Sequence, residues 1–301
     1  MLKKRLLSLV IASAFVLIGC GSNTKEQTNQ PEQTQQEDAQ TNEDQKEASD
    51  ENAQNEIENI VLKVGASPAP HKEILDVVVD DLAEQGITLE IIEFTDYVLP
   101  NKTLDAKEID ANFFQHTPFL MQFNEENGTD LVVAGTTHYE PLGIYPGVSN
   151  DLSNIKDKSV IAVPNDATNE ARALMLLETN GVIKLKEGAG LNATKIDIVE
   201  NPHNVEILEV EAAQTARYLQ EVDFAVINGN YAIANNIDVA TALAKEESDS
   251  VSAETYANII AVNAGDEQRP EIQALVNAIQ SDEVKAFIDE KYKGAVVALF
   301  K

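Results

Sequence analysis

Ile60-Val61-Leu62-Lys63-Val64-Gly65 is the stretch from which the fold is read outward. Its short apolar run reads as a buried strand. Ala66-Ser67-Pro68-Ala69-Pro70 follows as a breaker-rich turn. Ile74, Leu75, Val78, Val79 and Leu82 then recur at helical spacing, and Gly86 ends that helix. Ile87 to Phe94 is a second strand. Strand, helix and strand within ~35 residues make a βαβ unit with parallel strands.

The pattern extends and then restarts. Short strands are expected over Ile109–Phe114 and Leu131–Ala134, and again over Ser159–Pro164, Lys195–Val199 and Phe224–Ile227. A helix is expected from Asn169 to Asn180, with Gly181 after its end. Ala257–Val262 reads as a strand that returns the chain toward the first half. Two helices close the chain, one starting near Pro270 and one capped by Ser281 that runs to Tyr292, with Gly294 as its stop. The fold class is therefore α/β in two lobes: 60–143 with 257–301 returning to it, and 144–256. A ligand is expected in the crevice between them.

Ahead of this part lie Lys3, Lys4 and Arg5, the apolar run Leu6 to Ile18, and Cys20, the only cysteine. A basic stretch, a short apolar core and small residues describe a secretory signal peptide over 1–19. The run is shorter than the ~20 residues a membrane-crossing helix needs. Leu17-Ile18-Gly19-Cys20 resembles the bacterial lipobox, which implies cleavage before Cys20 and lipidation of its thiol. Residues 20–59 then form an acidic linker. Lys25 and Lys46 face eleven acidic residues there, and Ile57 is the one large apolar side chain between Ser22 and Glu58. Such a segment cannot offset its ordering entropy and is read as a disordered tether reaching on the order of 30 Å.

Composition narrows the function. The net charge of −29 repels phosphate backbones, so no nucleic-acid partner is expected. Membrane affinity must come from the lipid rather than from a basic surface. Cys20 is spent on the anchor, which leaves no disulfide, no thiolate metal site and no cysteine nucleophile. G-x-S-x-G, H-E-x-x-H and Walker A motifs are absent, and no enzyme, cofactor or resident metal is expected. Of the histidines His71, His116, His138 and His203, only His138 has ligand-like spacing, to Glu140. A zinc set of His71, His116, His138 and Glu140 is conceivable, but no dense His or Cys pattern supports it.

Three stretches carry binding chemistry. Pro164-Asn165-Asp166-Ala167-Thr168-Asn169-Glu170-Ala171-Arg172 joins a strand to a helix, with Asp166, Thr168 or Asn169 as the cap. Arg172 then lies near the helix start, where an arginine can grip a carboxylate. Pairing with Glu170 or Glu178 is the plain alternative. Asn112-Phe113-Phe114-Gln115-His116-Thr117-Pro118-Phe119 packs aromatics around an imidazole, as a pocket wall or as ordinary core. Ile227-Asn228-Gly229-Asn230-Tyr231 places amides at a strand C-terminus, where α/β ligands bind, or forms a plain turn.

Together with Val64–His71, Glu93–Val98, Glu140-Pro141-Leu142-Gly143, Ile198–Pro202 and Tyr292–Val296, these stretches give a chain from Leu62 to the C-terminus that resembles the NlpA-type methionine-binding lipoproteins of bacterial ABC importers. The resemblance implies a type II-like periplasmic-binding-protein fold that closes on methionine, L most readily. It also implies a monomer that hands the ligand to a membrane permease and its ATPase. A receptor for another small amino acid or a Met-containing dipeptide is the alternative. Carried over by position, Arg172 holds the α-carboxylate, with Asn228 and Asn201 as polar partners. Tyr97, Phe113, Phe114 and His116 line the side-chain pocket beside Phe119, and Glu140 and Asn169 stand behind them. Phe119 is a departure, because the family usually carries a tyrosine there. The acidic tether suits a Gram-positive surface.

Overall fold

The computed structural model describes residues 59–248 and 251–300, which belong to one compact unit. The signal peptide, Cys20 and the linker up to Glu58 lie outside the described residues. Two five-stranded sheets organise the molecule. The first runs in the order Ile87–Glu93, Ile60–Ala66, Ala111–His116, Asn258–Asn263, Leu131–Thr136. Its first three strands are parallel, as the βαβ reading requires. Asn258–Asn263 is antiparallel to both its neighbours. The second sheet runs Glu206–Val210, Val160–Pro164, Phe224–Ile227, Gly143–Pro146, Ala244–Lys245, and its last two strands are antiparallel.

Each sheet has its own core. Leu62, Val64, Ile74, Leu75, Phe113 and Ile260 pack under the C-terminal helices Pro270–Ile279 and Asp282–Tyr292. Ile144, Ile161, Val163, Leu174, Leu177 and Phe224 form the second core under the helix Ala167–Thr179. The chain crosses between the sheets at 137–142 and again between Lys245 and Asn258.

Helix ends follow local chemistry. Asp166 caps Ala167–Thr179, its Oδ1 accepting from Asn169 N at 3.0 Å. Ser281 caps the last helix by accepting from Val284 N. That helix ends on Lys293 in the left-handed region, with Gly294 (φ +90°) completing the reversal.

The structure departs from expectation in five places. The helix after the first turn is broken at Val78 into Glu73–Val77 and Val79–Glu84. The third strand is Ala111–His116 rather than Ile109–Phe114. Asp110 already bridges to the first strand, its Oδ2 accepting from Lys63 N and its N donating to Lys63 O. Lys195–Asp197 is a 3-10 turn, and Ile198–Glu200 pairs only with Lys184–Leu185. The strand of the main sheet is Glu206–Val210, whose Glu206 and Glu209 disguise it as surface. Finally, Gly143–Pro146 is a central strand of the second sheet.

Candidate binding cleft

A narrow cavity lies between the lobes. It is lined by Tyr97, Phe114, His116 and Phe119 on one side and by Asn169, Arg172, Asn228 and Asn230 on the other, with Glu140 between. The helix start at 167–172 and the strand end at 227–230 supply the polar wall.

A β-bulge decides the aromatic wall. Ile259 opposes Gln115 and Ile260 opposes Phe113, which leaves Phe114 as the extra residue. A bulge re-aims side chains out of simple alternation. Phe114 therefore faces the cavity, where its ring lies 5.7 Å from Tyr97 and 6.0 Å from Phe119. Phe113, expected in the pocket, turns into the first core instead, edge-on to His71 at 4.7 Å and His138 at 5.3 Å. Asn201 is also not brought to the cavity. Its Oδ1 accepts from Val205 N at 2.8 Å and its Nδ2 donates to Val205 O at 2.9 Å, so its amide closes a turn.

A relay of polar groups crosses the cleft. His116 Nδ1 accepts from Phe119 N at 3.2 Å, so its Nε2 is the donor to Asn169 Oδ1 at 3.2 Å. Asn228 Nδ2 donates to the same Oδ1 at 2.9 Å. That contact turns Asn228 Oδ1 the other way, and this buried oxygen has no partner among the described residues. Such an acceptor costs free energy unless a donor meets it. Burial, helped by the Arg172 charge, pushes the His116 imidazole down to about 3, so it is neutral. Tyr97 adds a second bridge by donating to Asn230 Oδ1 at 2.6 Å.

Arg172 is buried and already paired. Its Nε donates to Glu246 Oε1 at 2.8 Å and its Nη2 to Glu246 Oε2 at 2.5 Å. Nη2 also reaches the Glu140 carbonyl at 2.9 Å. The Tyr256 ring lies 4.4 Å from the guanidinium carbon. Glu170 and Glu178, the alternative partners, are engaged elsewhere, with Lys195 N and Leu185 N. The real partner, Glu246, is 74 positions away in a chain with 51 acidic residues, and nothing in its neighbourhood marks it out.

His71, His138 and Glu140, three members of the conceivable zinc set, do come together, with their ligand-type atoms within 4.8 Å. His116 is not among them. Thr137 Oγ1 spends its proton on Asn258 O at 3.0 Å, so it can only accept from His138 Nδ1 at 3.1 Å. His138 Nε2 therefore presents its lone pair to Glu140 Oε1 at 2.9 Å. Burial lowers His138 to about 3 and His71 to about 4 and raises the Glu140 carboxyl. One proton on Glu140, shared with His138, satisfies this contact as a hydrogen bond. Gly229 permits the arrangement, since a Cβ there would stand 2.8 Å from Glu140 Cβ.

The NlpA lipoprotein family matches residues 62–300, nearly all of the folded part. The chain belongs to the NlpA lipoprotein family. Among its relatives, the methionine-binding lipoprotein MetQ of Bacillus subtilis is 35% identical over 295 residues, covering 96% of each chain. Two solved structures of similar proteins share the two-lobed fold. A nutrient-binding protein from Burkholderia cenocepacia bound to methionine is 46% identical, with a TM-score of 0.76 over 79% of this chain and 100% of that one. A periplasmic substrate-binding protein of an ABC transporter from Coxiella burnetii is 37% identical, with a TM-score of 0.74 over 79% and 99%. The NlpA assignment agrees with the motif series that covers the chain from Leu62 onward.

Proposed function

We propose that this chain is the substrate-binding lipoprotein of an ABC importer, that it captures methionine outside the cytoplasm, and that it passes the ligand to a permease and its ATPase. It is a binding protein and not an enzyme. The carrying observation is Asn228 Oδ1, a buried acceptor without a partner among the described residues, in a cavity lined by a guanidinium and by a wall of aromatic rings. An α-amino acid with an apolar, polarisable side chain answers all three features.

Arg172 offers its guanidinium to the ligand carboxylate, with Nε and Nη2 held in place by Glu246 and the Glu140 carbonyl. Asn228 Oδ1 accepts from the ammonium. Tyr97, Phe114, Phe119 and His116 surround the thioether, which packs well against ring edges. The names of B. subtilis MetQ and the methionine-bound B. cenocepacia protein support the ligand, and the C. burnetii protein supports the transporter. Lipidation at Cys20 and a tether of 20–59 keep the receptor near its permease, an arrangement suited to a Gram-positive surface.

Titration calorimetry on the purified chain tests the reading. L-Methionine is expected to bind with micromolar or better affinity, ahead of D-methionine, Met dipeptides and other amino acids. No heat with any of these sinks it, and a stronger response to a dipeptide replaces the ligand.

A further inference from the structure

The Arg172–Glu246 pair sets the charge of the cleft. Glu246 occupies the guanidinium fork through Nε and Nη2. Its Oε2 also accepts from the Tyr139 hydroxyl at 2.7 Å and from Leu142 N at 2.9 Å. Both side chains are nearly sealed from solvent, at 4% and 9% exposure. A bidentate pair of this kind cancels the arginine charge before any ligand enters. The other ionisable groups around the cavity add little. His71, His116 and His138 are neutral, and Glu140 shares its proton with His138. Asp166 stands outside the lining, its Oδ1 held by Asn169 N, Asn169 Nδ2 and Thr168 Oγ1 at a helix N-terminus. With its fork filled by Glu246, Arg172 brings little net charge to the empty cleft, and an unbalanced charge brought in beside the pair is costly.

We infer that Glu246 is a specificity-determining residue that, by neutralising Arg172, makes the cleft select a zwitterion over an anion of the same shape. This rests on the methionine reading above. Without the Glu246 charge, Arg172 attracts any carboxylate, and the ammonium of an amino acid loses a nearby counter-charge. The preference for the zwitterion then falls.

The test compares L-methionine with 2-hydroxy-4-(methylthio)butanoate, which replaces the ammonium with a hydroxyl and carries one net negative charge. The full chain is used, by calorimetry with competition for the weaker ligand. The wild-type preference for L-methionine is expected at ~100-fold or more, and Glu246→Gln is expected to cut that ratio by ~10-fold or more. The ratio isolates the charge, because a cleft that is merely damaged weakens both ligands together. Thermal melting checks that the variant is folded, and Glu246→Met, of similar length and also uncharged, carries the test if it is not. An unchanged ratio in a folded variant overturns the inference, as does a wild-type ratio below ~10. A wild-type chain that binds neither L-methionine nor the analogue overturns the methionine reading itself.

Discussion

The two walls of the cleft work by different physics. The first-lobe wall is Tyr97, Phe114, Phe119 and His116, rings packed at 5.6–6.3 Å from one another. The second-lobe wall is Arg172, Asn169, Asn228 and Asn230, whose side chains are fixed by directed hydrogen bonds. A ring wall tolerates repacking, since neighbours can share a lost contact. A polar wall does not, because a missing partner strands a buried group. Affinity should therefore fall much more steeply along the second wall than along the first.

Arg172→Ala tests that contrast hardest. It removes the carboxylate donor and also strands Glu246, whose carboxyl the arginine holds below its usual range. Breaking a buried pair costs ~3–5 kcal/mol, so a lower melting temperature is expected together with a loss of L-methionine affinity by ~1,000-fold or more. Micromolar binding by this variant would refute the carboxylate role. Asn228→Ala comes next. It removes a hydrogen bond to a charged group, worth ~1.5–3 kcal/mol, and calorimetry should show binding ~10- to 100-fold weaker. Phe114→Leu, on the other wall, should cost less, about 3- to 10-fold, from a lost sulfur–aromatic contact. If Phe114→Leu proves worse than Asn228→Ala, the contrast between the walls is wrong.

The lobes also differ in how acid and base act on them. His71 and His138 at the lobe junction are held at about 4 and 3, below the unfolded value near 6.5, because burial disfavours their charged forms. They supply stability that is present above pH 6.5 and is lost as pH falls toward 3–4. Glu140 opposes this, since its raised carboxyl favours the folded state at low pH. In the second lobe Glu170 is raised to about 7 by burial beside Glu209. Its contribution has the opposite sign, present below the unfolded value near 4.5 and lost as pH rises through 7. Glu170→Gln should raise the melting temperature at pH 8 and leave it unchanged at pH 4. A shift of equal size at both pH values would remove the titration argument.

The same asymmetry governs what could be read from the sequence. Phe224–Ile227 is a buried, continuous apolar run, and such a run declares itself; Ile60–Ala66 is readable from its apolar residues although Lys63 interrupts it and Ile60 and Val61 are exposed. Glu206–Val210 does not, because its outward acids break the run. Arg172 is readable as a cleft residue from its nearness to a strand-to-helix junction, although the helix Ala167–Thr179 carries it in its second turn rather than its first. Phe113 and Phe114 could not be told apart, because the bulge that separates them depends on pairing with Ile259 and Ile260, some 145 positions away. Asn201 carried the right chemistry, but its amide is spent on Val205. Glu246 is the limiting case: its role exists only through Arg172, Tyr139 and Leu142, all more than 70 positions distant.

Phe119 offers the mildest test of the contrast between the walls. Its ring lies 5.6 Å from Tyr97 and 6.3 Å from His116, at the rim of the cavity. Phe119→Tyr adds one hydrogen-bonding group to a wall that otherwise works by packing. A net hydrogen bond contributes ~0.5–1.5 kcal/mol, so L-methionine should bind about 2- to 10-fold more tightly. That gain makes the wall partly polar and narrows its difference from the Arg172 side. Unchanged affinity means instead that the rings alone do the work here.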